Sequence, residues 1–158
     1  ADTARSHILQ WAKRGLLKNT PSQVPLLARW DDQHASLNDR ARAYLDINCG
    51  PCHRPGAPGK TSGLNLTVFA KEGYELGIGK KPVAAGKGSG GKAYDIVPGD
   101  PESSILVYRM KSTDPGIMMP ELGRSSVHTE GVELIEYWIR SMEDKKQTSF
   151  ILAPNQKD

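Results

Sequence analysis

The chain has 158 residues, enough for one domain with extensions and a modest hydrophobic core. Its net charge of +3, from 21 Lys and Arg against 18 Asp and Glu, lacks the strong basic excess of nucleic-acid-binding domains, so we expect no nucleic-acid partner. No apolar run approaches the ~20 residues that span a bilayer, so we expect no transmembrane segment. No apolar leader opens the sequence, so the first residue is expected to be a mature terminus or a fragment boundary. Only 37% of residues are apolar, and 16 Gly with 11 Pro indicate many loops, so a large apolar ligand would help to fill the core.

Residues 1–35 are predicted to be an N-terminal extension or a linker from an upstream module. Ile8 and Trp11 lie at helical spacing, and Gly15 stands near the expected end of that helix. After a proline-bounded break, a short apolar stretch around Trp30 is expected to pack on the main domain.

A firmer helix is predicted from Ser36 or Asn38, either of which can cap it, to Asn48. It leads directly into Cys-Gly-Pro-Cys-His at residues 49–53, which is the attachment signature of a covalent c-type haem. In this signature the thiols of Cys49 and Cys52 add to the two porphyrin vinyl groups. The imidazole of His53 becomes the proximal iron ligand.

Two other uses of a C-x-x-C pair fit the chain less well. A structural zinc site needs further ligands in a compact pattern, yet the chain has only 2 cysteines. A redox dithiol would lie in a βαβ context that is absent here. Neither use explains the adjacent His53. Gly50, between the cysteines, suits a tight turn because glycine tolerates a positive φ. Both cysteines serve the motif, so we expect no disulfide.

The stretch that follows is rich in Gly and Lys and is predicted to be a long surface loop. Residues 86–91 match G-x-G-x-x-G, and residues 86–92 nearly match a phosphate-binding loop. The first lacks its strand and helix, and the second has Ala93 where magnesium binding requires Ser or Thr, so we do not expect nucleotide binding. The basic face of residues 80–92, with Lys80, Lys81, Lys87 and Lys92, is a candidate docking surface for an acidic redox partner. Ahead of this loop, an apolar group is predicted to line the haem: Leu64, Leu66, Val68 and Phe69.

Two further helices are predicted towards the C-terminus. Asp100 is expected to cap one, with Pro101 in its first turn. The last helix is expected to run from Thr129 to about Met142, with Gly131 on its inner face allowing close approach of another helix. Residues 144–158 are predicted to form a polar tail.

A haem used for electron transfer commonly takes a Met sulfur as its second axial ligand. Met119 is the first candidate, because Pro120 biases it towards an extended backbone within a loop, and Met118 is the second. An open position also remains as an alternative. The other candidate ligands are the remaining methionines, which suit core packing, and three histidines: Met110, Met142, His128, His34 and His7.

These features together resemble a class I c-type cytochrome over residues 36–143. Segments 43–49, 96–101 and 118–124 resemble monohaem domains near the C-terminus of little-characterised bacterial periplasmic proteins. The resemblance implies an all-α, cytochrome c-like fold around one covalent haem c, with the first and last helices crossing near Gly131 and Trp138. It implies thioether bonds at Cys49 and Cys52 and His53/Met119 axial ligation.

The implied function is electron transfer rather than enzymatic catalysis, by a carrier or by an electron-delivery domain of a larger protein. The implied setting is the bacterial periplasm or the exterior, and we expect a monomer. The alternative is a haem enzyme or a gas or redox sensor with an open or exchangeable distal position. Four residues are unranked candidates for binding the haem propionates: Trp30, Tyr94, Arg109 and Arg124.

Overall fold

The computed structural model describes residues 7–20 and 26–151, with side chains described as far as residue 142. Within these residues the protein is helical, and only isolated bridges occur in place of strands. The described residues form four α-helices: α1 (His7–Lys13), α2 (Leu37–Asn48), α3 (Ile105–Lys111) and α4 (Thr129–Ile151). Single 3-10 turns occupy Lys60–Ser62, Tyr74–Leu76 and Gly86–Ser89. The expected all-α class is therefore confirmed, and no helix in the described part of the chain is long and apolar enough to cross a membrane.

The core lies mainly between α2 and α4. α2 begins after Ser36, whose Oγ accepts a hydrogen bond from the Asp39 amide at 3.0 Å, so Ser36 rather than Asn38 is the cap. Asn38 has a different role, because its Oδ1 accepts a hydrogen bond from Trp138 Nε1 at 2.9 Å. The two helices bury a shared apolar set with almost no exposure: Ala41, Leu45, Ile135 and Ile139.

The two helices approach each other again at Gly131, near the start of α4. A Cβ atom built on Gly131 would collide with the hydroxyl of Tyr44 in α2 and would lie 2.6 Å from His128 Nδ1. Glycine is therefore required here by the lack of space. Helices α2 and α4 are therefore in contact at both expected positions, Gly131 and Trp138, and the Tyr44 side chain fills the space beside Gly131.

Helix α3 begins later than the sequence predicts. It starts at Ile105, whereas Asp100 accepts a hydrogen bond from an amide three residues on and so caps a preceding turn. The first two amides of α3, those of Ile105 and Leu106, donate to the carbonyls of Tyr94 and Asp95 at 3.1 and 3.0 Å. These contacts with an earlier loop satisfy the donors that a local cap would otherwise have to satisfy.

Helix α4 ends at Ile151 rather than near Met142, so it continues into the segment that was expected to be a polar tail. The added turns contain Glu, Asp, Lys and Gln, and no Gly or Pro interrupts them before Pro154. Most of these are good helix formers, which accounts for the extension. The rest of the predicted tail lies outside the described residues.

Within the described residues, helix α1 has no packing contact with another helix, and none of its residues is buried. It ends in a Schellman motif: the Leu16 amide donates to the Trp11 carbonyl and the Gly15 amide to the Ala12 carbonyl, both at 2.9 Å. Gly15 has a φ of +72°, which this motif requires. The extension meets the domain at Trp30, whose carbonyl accepts a hydrogen bond from a guanidinium of α2 at 2.8 Å.

The Gly/Lys-rich loop packs closely against α3. A Cβ on Gly88 would lie 3.1 Å from the guanidinium carbon of Arg109, and one on Gly90 would lie 2.6 Å from the Tyr108 ring. The loop is therefore fitted against the helix at these two positions. Lys92 adds a hydrogen bond of 2.5 Å from its Nζ to a backbone carbonyl near α3.

Lys80 does not belong to the exposed basic face in which the sequence placed it. The residue is only 2% exposed, and its Nζ donates to Asp95 Oδ2 at 3.2 Å and to the Lys81 carbonyl at 3.1 Å. Burial raises the pKa of Asp95, while the hydrogen bond and charge of Lys80 oppose that shift. A charge pattern in the sequence does not reveal that a cation has a buried partner.

Replacing Lys80 with Met should lower the free energy of unfolding by about 3–5 kcal/mol, because the buried carboxylate of Asp95 loses its cation. The double variant Lys80→Met/Asp95→Leu should recover most of that loss, since neither buried charge remains. Urea unfolding of the three proteins measures both effects. The exposed neighbour provides the control, since Lys81→Met should change stability by less than about 0.5 kcal/mol. Equal losses in the single and double variants would show that the ion pair is not the cause.

Candidate functional site

The Cys-Gly-Pro-Cys-His motif forms a helical turn added to the end of α2. The Cys49 amide donates to the Leu45 carbonyl at 2.8 Å, and the Cys49 carbonyl accepts from the amides of Cys52 and His53 at 3.1 and 2.8 Å. This turn leaves Cys49 buried and Cys52 exposed. Burial, followed by the nearby Cys52, raises the pKa of Cys49 to about 12, so its thiol is protonated at neutral pH.

Gly50 is required in this turn for a different reason from the expected one. Its φ is not in the left-handed region. Instead, a Cβ at this position would lie 2.5 Å from the carbonyl oxygen of Asp46, one turn earlier in α2. The small residue therefore allows the motif to fold tightly onto the helix end.

The hydrogen bonds around His53 determine which ring nitrogen carries the proton. His53 Nδ1 lies 3.0 Å from Ser62 Oγ, and that hydroxyl donates its one hydrogen to the Gly59 carbonyl at 2.8 Å. The Ser62 oxygen can then only accept from Nδ1, so Nδ1 carries the hydrogen of the neutral ring. The Nε2 lone pair is left as the ligand atom, which is the tautomer that a metal-binding histidine needs.

Two further features favour that neutral, oriented ring. Burial, and then the positive charge of Arg109, lower the pKa of His53, although Asp95 opposes the shift. A Cβ on Gly59 would lie 3.1 Å from His53 Nδ1 and 2.9 Å from the Cys52 carbonyl. The chain therefore turns back against the imidazole at a residue with no side chain.

A loop at residues 64–70 forms one wall beside the motif. The Leu66 amide donates to the His53 carbonyl at 2.9 Å, and the Leu66 side chain is buried. The guanidinium of Arg42, in α2, holds this loop by donating to three backbone carbonyls, those of Thr67, Val68 and Ala70, at 3.0, 3.2 and 2.7 Å. Leu64 packs against the core and Val68 is half-buried. Phe69 was expected to line the site but is 83% exposed, because the turn held by Arg42 directs it to solvent.

A loop after α3 brings Met119 towards Cys49. The Met119 amide donates to the Arg109 carbonyl at 3.0 Å, and the guanidinium of Arg124 ties the same loop to α3 through the Arg109 and Ser112 carbonyls at 3.2 and 2.6 Å. Cys49 and Met119 line one small cavity of about 30 Å³. Its other lining residues are Tyr44, Asn48, Met110, Pro120, Arg124, His128 and Val132.

Among the other candidate axial ligands, Met118, Met142, His34 and His7 do not line this cavity. Met110 does line it but is also part of the buried hydrophobic core, against which Met142 packs. His128 lines the cavity, but its Nδ1 lies 3.1 Å from the Tyr44 hydroxyl, and its carbonyl accepts the Val132 amide at the start of α4.

The four propionate candidates can now be compared by their free donors. The guanidinium of Arg124 donates to backbone carbonyls through all three of its nitrogens. Arg109 is half-buried, and its Nε donates to the Ile117 carbonyl at 2.8 Å, while its terminal nitrogens make no hydrogen bond among the described residues. The ring of Trp30 packs edge-on against His128 at 5.1 Å, and Tyr94 remains 37% exposed. Of the two arginines, Arg109 is therefore the one whose terminal nitrogens have no partner among the described residues, and its charge acts on His53.

A larger groove of about 380 Å³ adjoins the cavity and shares Tyr44, Asn48 and His128 with it. Residues 27–30 of the extension and Ile47 of α2 form its other walls. The sequence did not predict this groove, nor did it single out Ser62, Gly59 or Arg42. A serine nine residues after a histidine carries no recognisable signal, since the contact depends on how the loop folds.

No protein-family model, curated protein or solved structure matches this chain. Across the described residues, no cluster of three or more His, Cys, Asp or Glu side chains is placed to hold a metal ion.

The two cysteines of the chain before any covalent attachment should differ sharply in reactivity. At pH 8, iodoacetamide should modify the exposed Cys52 while Cys49, buried and with its pKa raised to about 12, stays largely unmodified. Peptide mass spectrometry over a time course measures both rates. Prior unfolding in urea serves as the control and should make the rates similar. Comparable rates in the folded chain would contradict the placement of Cys49.

Proposed function

We propose that this chain is a monohaem electron-transfer domain with one covalent haem c. The observation that carries the proposal is the contact of His53 Nδ1 with Ser62 Oγ within the Cys-Gly-Pro-Cys-His motif, because that hydroxyl donates to the Gly59 carbonyl and so leaves Nε2 of the neutral ring as the ligand atom. The attachment signature indicates covalent haem, and the tautomer of His53 leaves a nitrogen lone pair that can bind iron. When bound, the haem would supply one-electron redox chemistry.

The residues of the chain have distinct roles in this proposal. Cys49 and Cys52 would hold the haem through thioethers, and His53 Nε2 would be the proximal ligand. Met119 would be the distal ligand, supported by its place in the same cavity as Cys49, whereas Met118 does not line that cavity. Arg109, with its free donors, would bind a propionate.

The cavity between Cys49 and Met119 is far smaller than a porphyrin. Its volume of about 30 Å³ has room for roughly one or two water molecules. Haem attachment would therefore separate the two walls. The wall most suited to move is the loop carrying Met119, because it is held to α3 by hydrogen bonds rather than by a buried apolar contact.

The proposal covers both a separate carrier and an electron-delivery domain of a larger periplasmic or exported protein. A redox partner would dock on the exposed lysines of the basic face of residues 80–92, to which the buried Lys80 does not belong. Lys81 and Lys87 are exposed, although Lys87 Nζ lies 3.4 Å from Asp114 Oδ1. Such a surface favours steering of an acidic partner over tight binding.

One observation favours a second candidate function, a haem enzyme or sensor with an exchangeable distal position. Tyr44 and His128 form a hydrogen-bonded pair that lines the same cavity as Met119. Such a pair can move a proton beside a distal site. If Met119 were displaced, this pair could transfer a proton to a ligand bound in its place. Whether Met119 stays bound therefore distinguishes the two functions.

To decide between these functions, the chain is expressed together with a haem-attachment system. The mass, the absorbance spectrum and the carbon monoxide binding of the wild type are compared with those of Met119→Ala and Met118→Ala. The wild-type protein should have the mass of the chain plus one haem, show the red absorbance band of Met-ligated ferric haem, and fail to bind carbon monoxide when reduced. Met119→Ala should lose the band and gain carbon monoxide binding. Met118→Ala, the matched control, should retain the wild-type spectrum.

A mass equal to the bare polypeptide would refute the proposal as a whole. Carbon monoxide binding by the wild-type protein would refute only the electron-carrier role, in favour of the enzyme or sensor.

Ser62→Ala should raise the midpoint potential, because His53 would lose its hydrogen-bond acceptor and become a weaker donor to ferric iron. A tenfold change in relative stabilisation of the ferric state corresponds to about 59 mV for one electron, and we expect an effect of this order. Ser62→Thr keeps the hydroxyl and should restore the wild-type potential. Potentiometric titration of the three proteins measures the shift. Equal potentials in all three would show that Ser62 does not influence His53.

A further inference from the structure

Residues 7–18 form a surface segment with no established use in the fold or the candidate site. It comprises α1, the Schellman turn that ends it, and Leu17 and Lys18; we refer to it as the N-terminal segment. Three of its apolar side chains are strongly exposed: Ile8 by 40%, Trp11 by 47% and Leu16 by 68%. The turn that joins the Leu16 amide to the Trp11 carbonyl brings two of these residues together.

A helix of seven residues is too short to be stable alone in water, and most helices in proteins are stabilised by packing an apolar face. Helix α1 packs on none of the other described helices, and none of its residues is buried. We therefore expect its exposed apolar side chains to contact a surface that the described residues do not provide.

The charge of this region indicates the sign of that surface. Lys13, Arg14 and Lys18 are all exposed. In the sequence, no Asp or Glu occurs between Asp2 and Asp31, so the segment has no acidic residue nearby in the chain to neutralise it. A complementary surface is both apolar and negatively charged.

We propose that the N-terminal segment docks on an anionic phospholipid surface. Ile8, Trp11 and Leu16 would enter the interface between headgroups and acyl chains, while the cations contact lipid phosphates. Tryptophan suits this depth because its ring is apolar and its N–H is polar.

The small size of the patch favours a lipid surface over a protein surface. Three or four partly exposed side chains offer far less than the ~800 Å² per partner that a stable protein interface buries. Binding to a bilayer needs no such area, because it adds up from individual apolar insertions and individual charges. The interaction would be peripheral and reversible, and it does not depend on whether the chain carries haem.

Vesicle sedimentation tests the proposal with the full chain. The protein should sediment with vesicles of phosphatidylcholine containing 30 mol% phosphatidylglycerol (about one lipid in three) and remain in solution with phosphatidylcholine alone, the anionic lipid supplying the surface charge. Each cation removed should weaken binding roughly fivefold, so Lys13→Gln/Arg14→Gln/Lys18→Gln should weaken it on the order of a hundredfold. Trp11→Ser should also weaken binding, without any change in charge.

The matched control removes three exposed cations elsewhere, as Lys60→Gln/Lys71→Gln/Lys81→Gln. This variant has the same net charge as the first triple variant and should bind nearly as well as the wild type. Far-UV circular dichroism should be alike in all variants, which excludes unfolding as the cause.

Three outcomes would overturn the proposal. The first is no sedimentation with the anionic vesicles. The second is an equal loss of binding in both triple variants, which would indicate only general charge attraction. The third is self-association of the chain in analytical ultracentrifugation that Trp11→Ser abolishes, without vesicle binding. That result would assign the segment to a protein interface.

Discussion

The packing of α2 against α4 is the constraint on which the candidate site depends. Leu45, Ile135 and Ile139 are buried completely in this contact, and burying each such side chain contributes roughly 1.5–3 kcal/mol. Leu45 also accepts the Cys49 amide through its carbonyl. The cysteine motif thus extends from a helix whose position and rotation are both fixed by the core, and the first thiol is buried as a direct result.

Polar contacts with side chains of the helices hold the other parts of the site, in addition to the apolar contacts of Leu64 and Leu66 with the core. Arg42 holds the 64–70 loop through backbone carbonyls, and Asp46 Oδ1 accepts the Val68 amide at 3.1 Å. Ser62 joins the turn at Gly59 to the ring of His53. Arg124 performs the same function for the loop that carries Met119. A chain with few apolar residues can in this way hold long irregular loops in place, because their carbonyls are satisfied by side chains anchored in helices.

The sequence predicted the features that have a local cause. The start of α2 after Ser36 follows from its cap, and the close contact of α2 with α4 at Gly131 follows from a missing side chain on an apolar helix face. The late start of α3 and the burial of Lys80 could not be predicted in this way. Both depend on residues 94–95, which lie distant in sequence from Lys80 and belong to no regular element.

The candidate site shows the same division between local and tertiary causes. The motif identified Cys49, Cys52 and His53 as its central residues, and a loop methionine before Pro120 was a reasonable candidate for the opposite side. Placing Met119 rather than Met118 beside Cys49 depends on which amide of the loop bonds the Arg109 carbonyl. Which amide makes this hydrogen bond is set by the tertiary fold. It cannot be predicted from a sequence with two adjacent methionines.

The Gly/Lys-rich loop has a composition usually associated with flexible linkers. The contacts of Gly88 and Gly90 with α3 nevertheless restrict its side chains as closely as packing restricts those of a core element. Across related chains, these two positions should resist substitution even by alanine, because a Cβ there would press against the side chains of Arg109 and Tyr108. A change in loop length should be tolerated only outside this pair, near the exposed residues Lys81, Val83 and Ala84. Low sequence complexity in this protein therefore reflects close packing against a helix.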